Sequence, residues 1–152
     1  MAEFSFRGLD EFTLSLKEVA ELPEEVVDEM LNAGADVTAA AQRQEAEKLG
    51  KLGGYRNDSQ TIDWSTGETA RSIKKGRVKT KDGHRVIYIT PVGSRKRGKT
   101  TTRNAEIAFL NEFGTKTIRA RGFIRKANEN SAEAATAAQM EVYNRYLESK
   151  NL

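Results

Sequence analysis

The chain has 152 residues, a formal net charge of +3 and no cysteine. A chain of this length buries about two-thirds of its unfolded surface, so we expect a single domain over residues 1–152. Without cysteine, disulfide frameworks and thiolate metal sites are excluded. The opening sequence MAEFSFRGLDEF lacks the basic and apolar regions of a secretion signal, and no apolar run reaches the ~18 residues that cross a bilayer. We therefore expect a soluble protein with no membrane partner.

Charge is distributed unevenly along the chain. Residues 1–50 carry 12 Asp and Glu against 4 Lys and Arg, whereas residues 71–103 carry 12 Lys and Arg against a single Asp. If these regions lie on different faces, the acidic face of one copy complements the basic face of the next, which favours head-to-tail association and ring closure. The alternative is that both regions are solvated faces of a monomer.

The first part of the chain is predicted to be mainly helical. Alternating apolar residues predict a short strand at residues 4–8, and helical spacing predicts a helix at residues 10–21. Pro23 suits the first turn of a second helix, whose apolar stripe continues to about Leu49. Gly34 lies inside this helix and indicates close packing against a neighbouring element.

A long loop and a short helix are predicted next. Residues 50–63 contain two adjacent glycines and few large apolar side chains, which is typical of a long loop. Helical spacing over residues 67–75 then predicts a short helix with Ala70 and Ile73 facing inward.

The middle of the chain predicts a β-hairpin. Asp82 and Gly83 form a strong hairpin turn signal, and they separate strand-like segments at residues 76–81 and 84–90. The second arm has apolar residues on both faces and is expected to be buried on both. Cations make the first arm an exposed edge.

Residues 93–100 match the phosphate-binding loop pattern G-x-x-x-x-G-K-[ST], which raises a nucleotide-binding hypothesis. That fold needs parallel strands and an aspartate to hold magnesium, whereas the preceding strand here closes a hairpin and no later apolar strand ends in Asp. We therefore favour a long basic loop over residues 91–103 that contacts another subunit or nucleic-acid phosphates. The cations expected to make contacts in this loop and in the hairpin are Lys79, Lys81, Arg85, Arg95, Lys96, Arg97 and Lys99.

Residues 105–127 combine a helix, a turn and a returning extended segment. Apolar side chains at helical spacing predict one broad helix face, formed by Ile107, Phe109, Leu110 and Phe113. Gly114 follows them as a left-handed C-cap, and alternation over residues 118–125 predicts an extended backbone. No side chain in this segment is equipped for catalysis.

A last helix is predicted to begin at Asn130, with Glu133 completing its N-terminal cap, and to end near Ser149. Helices and short strands together follow a non-alternating order along the chain. This order predicts an α+β fold, in which a small antiparallel β-sheet of three or four short strands packs against long α-helices.

Two stretches of the sequence resemble a known family. The runs FLNEFGT at residues 109–115 and IRARGFIRKA at residues 118–127 are similar to the signature (F/Y)-x-E-(F/Y)-G-T … A-R-P-F-(L/I)-R-x-A. That signature belongs to the gene product ten family, the tail-component proteins of lambdoid long-tailed phages. TGETARSI at residues 66–73 is similar to the family's T-G-x-L-x-x-S-I. Gly122 stands where the family usually has proline.

The resemblance implies a virion structural protein of the phage neck or tail, which completes the tail or joins the head to it. It implies a homo-oligomeric ring, a hexamer, with other neck and tail-tube proteins as partners and a passing contact with phage DNA. It also implies no enzymatic activity and no cofactor, and a location in the virion after synthesis in the host bacterial cytoplasm. The alternative, from a different class, is a basic nucleic-acid-binding module that uses residues 71–103.

The turn and the returning segment of the signature form our candidate assembly interface. Its residues are Glu112, Phe113, Gly114, Thr115, Arg119, Arg121, Phe123 and Arg125. Aromatic and arginine side chains are enriched at the centres of interfaces. For Phe123, burial in the core and a role in the interface are equal alternatives. For Phe113, which lies on a helix face, burial in the core is favoured over the interface.

Overall fold

The computed structural model describes residues 22–49 and 67–150, which form an α+β structure as the sequence predicts. The predicted strand at residues 4–8, helix at residues 10–21 and loop at residues 50–63 lie outside the described residues. The described helices are α1 (Glu24–Glu47), α2 (Glu68–Ser72), α3 (Asn104–Phe113) and α4 (Phe123–Ser149). The described strands are β1 (Ile73–Lys75), β2 (Lys79–Lys81), β3 (His84–Val86), β4 (Ile89–Pro91), β5 (Ser94–Arg97) and β6 (Thr100–Arg103).

Helix α1 begins where the sequence predicts. Pro23 precedes its first turn, and the Pro23 carbonyl accepts hydrogen bonds from the backbone N–H groups of Val26 (3.0 Å) and Val27 (3.2 Å). Proline suits this position because the amide it lacks would have no partner inside the helix. Two glutamates in the first turn complement the positive end of the helix dipole.

Helices α1 and α4 pack against each other as an antiparallel pair. Three contacts fix this arrangement: Glu29 meets Arg145 at 3.4 Å, Gly34 faces Gln139, and Gln42 donates to Asn128 Oδ1 at 2.8 Å. A Cβ on Gly34 would lie 2.6 Å from Gln139 Nε2, which confirms the predicted close approach at this glycine. Small side chains dominate the buried seam, which includes Gly34, Ala35, Ala39, Ala127 and Ser131.

The core lies where the end of α1 meets α2, β1, α3 and the start of α4. Its buried members are Ala46, Leu49, Ala70, Ile73, Ala108 and Phe123, with Ile89 and Ile124 packed against them. Ile73 and Phe123 are its largest fully buried side chains. Ala70 and Ile73 face inward as predicted, but the helix that carries Ala70 is shorter than expected.

Helix α2 ends at Ser72 instead of Lys75 because the backbone becomes extended at Ile73 and joins a strand pair. The Ser72 carbonyl accepts a hydrogen bond from the N–H of Val92 at 2.8 Å, and the Ile73 carbonyl accepts one from Arg43 Nε at 3.0 Å. Strand pairing and a contact from the half-buried Arg43 therefore replace the last helical turn that the spacing predicts.

The predicted hairpin around Asp82 and Gly83 is present, and it is longer than the sequence indicates. Its outer half pairs β2 with β3, and its inner half pairs β1 with β4. The second arm is not buried on both faces: Ile87 and Ile89 are half-buried, whereas Tyr88 and Thr90 are exposed. The apolar content of this arm overstates its burial because the described residues place no layer over its outer face.

One extra residue separates the two halves of this hairpin. Lys75 pairs with Ile89 in the inner half, and Lys79 pairs with Val86 in the outer half. Three residues of the first arm therefore lie opposite two of the second, which is the arrangement of a β-bulge.

A second hairpin replaces the loop predicted over residues 91–103. Strands β5 and β6 pair antiparallel, with Arg95 opposite Thr102 and a turn at Gly98 and Lys99. Threonines in β6 and three consecutive cations in β5 suit two exposed strands, but their polarity gives a sequence pattern that resembles a loop. The described part of the chain thus has six short strands in three antiparallel pairs, more than the three or four expected.

None of the helices in the described part of the chain is both long and apolar enough to span a membrane.

Candidate assembly surface

The turn that follows α3 can be built only with glycine at position 114. Gly114 adopts φ 72° and ψ −178°, a backbone conformation with positive φ that is essentially limited to glycine. A Cβ there would lie 2.5 Å from Ala120 N and 2.7 Å from Ile118 O. Gly114 caps α3 as predicted, donating to the Leu110 carbonyl, although its extended ψ differs from the left-handed cap expected.

The returning segment is tied to the end of α3 by its backbone. Thr115 Oγ1 accepts hydrogen bonds from the N–H groups of Thr117 (3.2 Å) and Ile118 (3.0 Å), which closes the turn. The N–H of Arg121 then donates to the Asn111 carbonyl at 2.8 Å. Residues 118–121 therefore run back alongside the last turn of α3.

Glu112 caps the N-terminus of α4. Its Oε2 accepts a hydrogen bond from the N–H of Ile124 at 2.7 Å, and its Oε1 accepts one from the N–H of Arg125 at 3.1 Å. A carboxylate at this place satisfies two otherwise unbonded helix donors and complements the positive end of the helix dipole. This cap explains why α4 begins at Phe123, whereas the cap predicted at Asn130 lies inside the helix.

Gly122, the residue before α4, has φ 54° and ψ 37°. A proline cannot adopt this conformation, because its ring fixes φ near −65°. This chain departs from the signature at Gly122. The backbone there has a geometry that the proline of the signature cannot adopt.

Replacing Glu112 with alanine is expected to lower the free energy of unfolding by about 1–2 kcal/mol, because two backbone donors at the start of α4 lose their acceptor. Glu112→Gln should cost less, since the amide oxygen can still accept one bond. Urea denaturation measures both values. Glu148→Ala, an exposed glutamate in the last turn of α4, is the control, and an equal loss in the two alanine variants would contradict the capping role.

Two further residues of the candidate interface serve the fold. Phe123 is 2% exposed and belongs to the core, which decides between the two alternatives left open for it. Arg121 is half-buried, and its Nη1 donates to the Leu49 carbonyl at the end of α1. Burial, and then the like charge of Arg119, lower the pKa of Arg121.

Three apolar residues of α3 instead form an exposed surface, which we call the α3 patch: Phe109, Leu110 and Phe113. Phe109 is 60% exposed, Phe113 65% and Leu110 37%. The two phenylalanine rings contact each other, with centroids 4.7 Å apart and an interplanar angle of 50°. The core burial favoured for Phe113 is therefore wrong, and of the broad apolar face predicted for α3 only Ile107 is half-buried.

The orientation of α3 has an identifiable cause at its first residue. Asn104 is buried: its Nδ2 donates to the Val92 carbonyl at 2.8 Å, and its Oδ1 accepts from Arg95 Nε at 2.9 Å. Asn104 and Ala108 are one helical turn apart and both face inward, so Phe109 and Phe113 face outward. A buried asparagine that fixes a helix is not visible in a pattern of apolar residues alone.

Cations flank the α3 patch. Lys116 and Arg119, in the turn and the returning segment, are exposed, as is Arg125 in the first turn of α4. Arg125 lies 4.0 Å from Glu129, which is a long and weak ion pair at an exposed position. Of the candidate interface, Phe113, Arg119 and Arg125 are thus presented outward, whereas the other members build the turn or the core.

The cations of the predicted basic contacts also fall into two groups, those with partners inside the chain and those that are exposed. Arg85 donates to Asp28 of α1 through Nε (2.9 Å) and Nη2, and this hydrogen bond raises the pKa of Arg85. Arg95 bonds Asn104 and, at 2.9 Å, Thr69 Oγ1. Lys79, Lys81, Lys96 and Lys99 are exposed, and Arg97 lies in β5. Because Thr80 is paired with Arg85, Lys79 and Lys81 lie on the face of the hairpin opposite to Arg85.

The charge gradient along the sequence is partly neutralised within one chain. Asp28 pairs with Arg85, and Asp36 pairs with Lys75 at 2.7 Å, so part of the acidic α1 faces the basic hairpin of the same copy. The expected attraction between the acidic region of one copy and the basic region of the next is reduced by these contacts.

The residues that match the phosphate-binding loop do not form one. Gly98 and Lys99 make the turn of the second hairpin, and Thr100 begins strand β6. A phosphate-binding loop instead leads into a helix, whose N-terminal amides hold the phosphates. Within residues 22–49 and 67–150, no group of three His, Cys, Asp or Glu side chains is placed to hold a metal ion.

Lys99→Ala is expected to change the free energy of unfolding by about 0.5 kcal/mol or less, as exposed surface substitutions usually do. The melting temperature should therefore be almost unchanged. Self-association is also expected to be unchanged, because Lys99 lies at an exposed hairpin turn. Thermal melts and light scattering measure these two properties, and isothermal titration with ATP and magnesium tests nucleotide binding. ATP binding at micromolar affinity that is lost in Lys99→Ala would contradict this expectation.

Comparison of the chain with protein families, with curated proteins and with solved structures finds no match in any of the three.

Proposed function

We propose that this protein is a structural component of a phage neck or tail, which completes the tail or joins the head to it by forming a ring of identical copies. The α3 patch is the observation that carries the proposal, because two adjacent phenylalanines are mostly exposed beside a rigidly built turn. The phage role comes from the resemblance of residues 109–115 and 118–127 to the tail-component signature.

Exposed aromatic pairs favour protein–protein contacts for a physical reason. Complete burial of one phenylalanine side chain is worth about 1.5–3 kcal/mol relative to leaving it in water. Interface centres are correspondingly enriched in aromatic residues and in arginine. Phe109 and Phe113 stand side by side on one helix face, so a partner can bury both with a single contact.

Contacts within the chain hold the turn that supports this surface. Gly114 permits the close approach of residues 118–120, Thr115 closes the turn, and Glu112 holds the first turn of α4. A docking surface that is already ordered loses little conformational entropy on binding, which favours affinity. The signature thus combines residues that build the turn with residues that the turn presents to a partner.

The proposal includes the setting of the protein. It is made in the host bacterial cytoplasm and becomes part of the virion, where its partners are further copies of itself and neck or tail-tube proteins. Six copies form the ring, which makes a passing contact with phage DNA. No enzymatic activity is part of this role.

Native mass spectrometry of the protein, alone and with purified phage tail tubes, tests the proposal. We expect a closed oligomer in at least one of the two samples, and the protein among the components of purified phage particles. A monomer in both samples, together with absence from the particles, would contradict the assembly role.

A second candidate function, nucleic-acid binding, is favoured by exposed lysines on the two hairpins, four of which are among the predicted basic contacts. These are Lys79, Lys81, Lys96 and Lys99, and none of them has an ion pair among the described residues. Exposed lysines attract phosphates without reading bases, so such binding would be independent of sequence and would weaken steeply with salt.

Fluorescence anisotropy with a duplex of 20 base pairs distinguishes this candidate. Replacing the four lysines with alanine should abolish binding, whereas Lys126→Ala in α4 and Lys150→Ala directly after it, both at exposed positions, should leave most of it. Unchanged affinity in the fourfold variant would eliminate the hairpins as a nucleic-acid site.

A further inference from the structure

Helix α4 carries a second exposed apolar surface, which we call the α4 depression. It is shallow, mostly apolar, and lined by Ala132, Glu133, Thr136, Ala137 and Met140. Met140, its largest apolar side chain, is 45% exposed. These residues lie one helical turn apart along α4, so they form a continuous strip on its outer side.

Carboxylates line the edge of the α4 depression. Glu129, Glu133 and Glu141 are exposed and follow a spacing of four or eight residues, which places them in one row along α4 with Ala137. Arg125 and Arg145 bound this row at its two ends, so the negative charge is concentrated around the depression. Beside the α3 patch, Glu106 is paired with Arg103 at 3.0 Å, whereas Lys116 and Arg119 are exposed and have no ion pair among the described residues, so the unpaired charge there is positive.

The two surfaces are separate on one chain. Both are exposed, so they do not cover each other within a copy. Glu112 fixes the end of α3 to the first turn of α4, and the depression begins nine residues after Phe123, roughly 14 Å further along the helix at ~1.5 Å per residue. Contact between the two surfaces therefore requires two copies.

We propose that the α3 patch of one copy docks into the α4 depression of the next copy, and that this joint closes the ring. The inference rests on the ring in the proposed function and names the surfaces that form it. A contact between two different surfaces is heterologous, and repeated heterologous contacts close into a ring when the rotation between copies allows it.

Charge distinguishes this joint from a symmetric one. Pairing two α3 patches would bring Lys116 and Arg119 of one copy towards the same cations of the other, which is unfavourable. Docking on α4 instead brings these cations towards the row of glutamates.

Three variants test the joint by native mass spectrometry at concentrations at which the wild-type chain assembles. Phe113→Ser removes an anchor from the α3 patch, and Ala137→Arg places bulk and like charge in the depression. Each is expected to weaken self-association about tenfold or more, as loss of an interface anchor does. Ala134→Arg, an exposed alanine of α4 outside the depression, is the matched control and should assemble as the wild type does. All three positions are exposed, so thermal melts should remain close to those of the wild type.

Cross-linking decides which surfaces meet. Because the chain has no cysteine, Phe113→Cys and Ala137→Cys each introduce a single thiol. On mild oxidation of the mixed variants, we expect a disulfide between one copy of each, and little dimer from either variant alone. A disulfide dimer formed by Phe113→Cys alone would show a symmetric contact and overturn the joint.

The outcomes separate this inference from the proposed function. If the wild type forms a closed oligomer and both Phe113→Ser and Ala137→Arg assemble normally, the joint is wrong while the ring stands. If the wild type stays monomeric, alone and with tail tubes, the ring and the joint both fail.

Discussion

Replacing Phe123 with alanine is expected to lower the free energy of unfolding by about 3–5 kcal/mol, the usual cost of truncating a buried phenylalanine. Phe123 is 2% exposed and lies where the core residues of α1, α2, β1 and α3 meet. Removing its ring leaves a cavity between elements that share few other large side chains. For a domain of this size the loss is a large share of total stability, so the variant should melt far below the wild type.

Phe113→Ala is the matched control for this prediction, because the same chemical change is made ten residues earlier at a side chain that is 65% exposed. We expect its unfolding free energy to remain within about 0.5 kcal/mol of wild type. Urea denaturation gives both values. Equal losses at the two positions would contradict the division of the signature into core residues and surface residues.

Replacing Gly114 with alanine is expected to cost about 3 kcal/mol or more. The backbone conformation at this residue is strained for any side chain, and the new Cβ would overlap Ala120 N and Ile118 O. Both obstacles are backbone atoms, so no side-chain movement relieves the overlap. The returning segment must shift, which also disturbs the hydrogen bond from Arg121 N to the Asn111 carbonyl.

Gly83→Ala separates the two contributions at Gly114. Gly83 has φ 79°, and a Cβ there would meet no atom within 4 Å, so only the conformational cost of about 1–2 kcal/mol is expected. Thermal and urea unfolding of both variants measure the difference. If Gly114→Ala were no more destabilising than Gly83→Ala, the close approach of the returning segment would not constrain this turn.

The sequence predicts the parts of the fold that depend on local chemistry. Pro23 marks the start of α1, Asp82 and Gly83 mark the hairpin turn, and Gly34 marks the close contact with α4. At each of these positions the residue type restricts the backbone or removes a side chain. The local sequence is therefore sufficient to predict the structural feature.

The failed predictions involve contacts between residues far apart in the sequence. Helix α4 begins at Phe123 because Glu112, eleven residues earlier, supplies its cap, and a local search for a cap instead finds Asn130. Helix α3 turns Phe113 outward because the buried Asn104 bonds to Val92 and Arg95. Such partners cannot be identified from periodicity, since apolar spacing shows that a face exists and not which surface covers it.

The sequence predicts the candidate interface as a region, but several residues of that region make their contacts inside the chain. Most polar members of the signature over residues 109–127 have such partners. Glu112 and Thr115 accept backbone hydrogen bonds, and Arg121 donates to Leu49. Phe109 and Leu110, which the sequence assigns to the predicted apolar face, belong to the exposed α3 patch.

The extra residue in the first arm of the hairpin changes which residues of that arm share a face. Ile73 and Lys75 share the inner face with Ile89, yet beyond the bulge Thr80 shares it with Arg85. Deleting one residue from 76–78 would leave two residues opposite two, so Lys79 would still pair with Val86 and only the bulge would be lost. We therefore expect a single deletion at 76–78 to keep the lysines on their face and to straighten the first arm, because a bulge bends the strand that carries it.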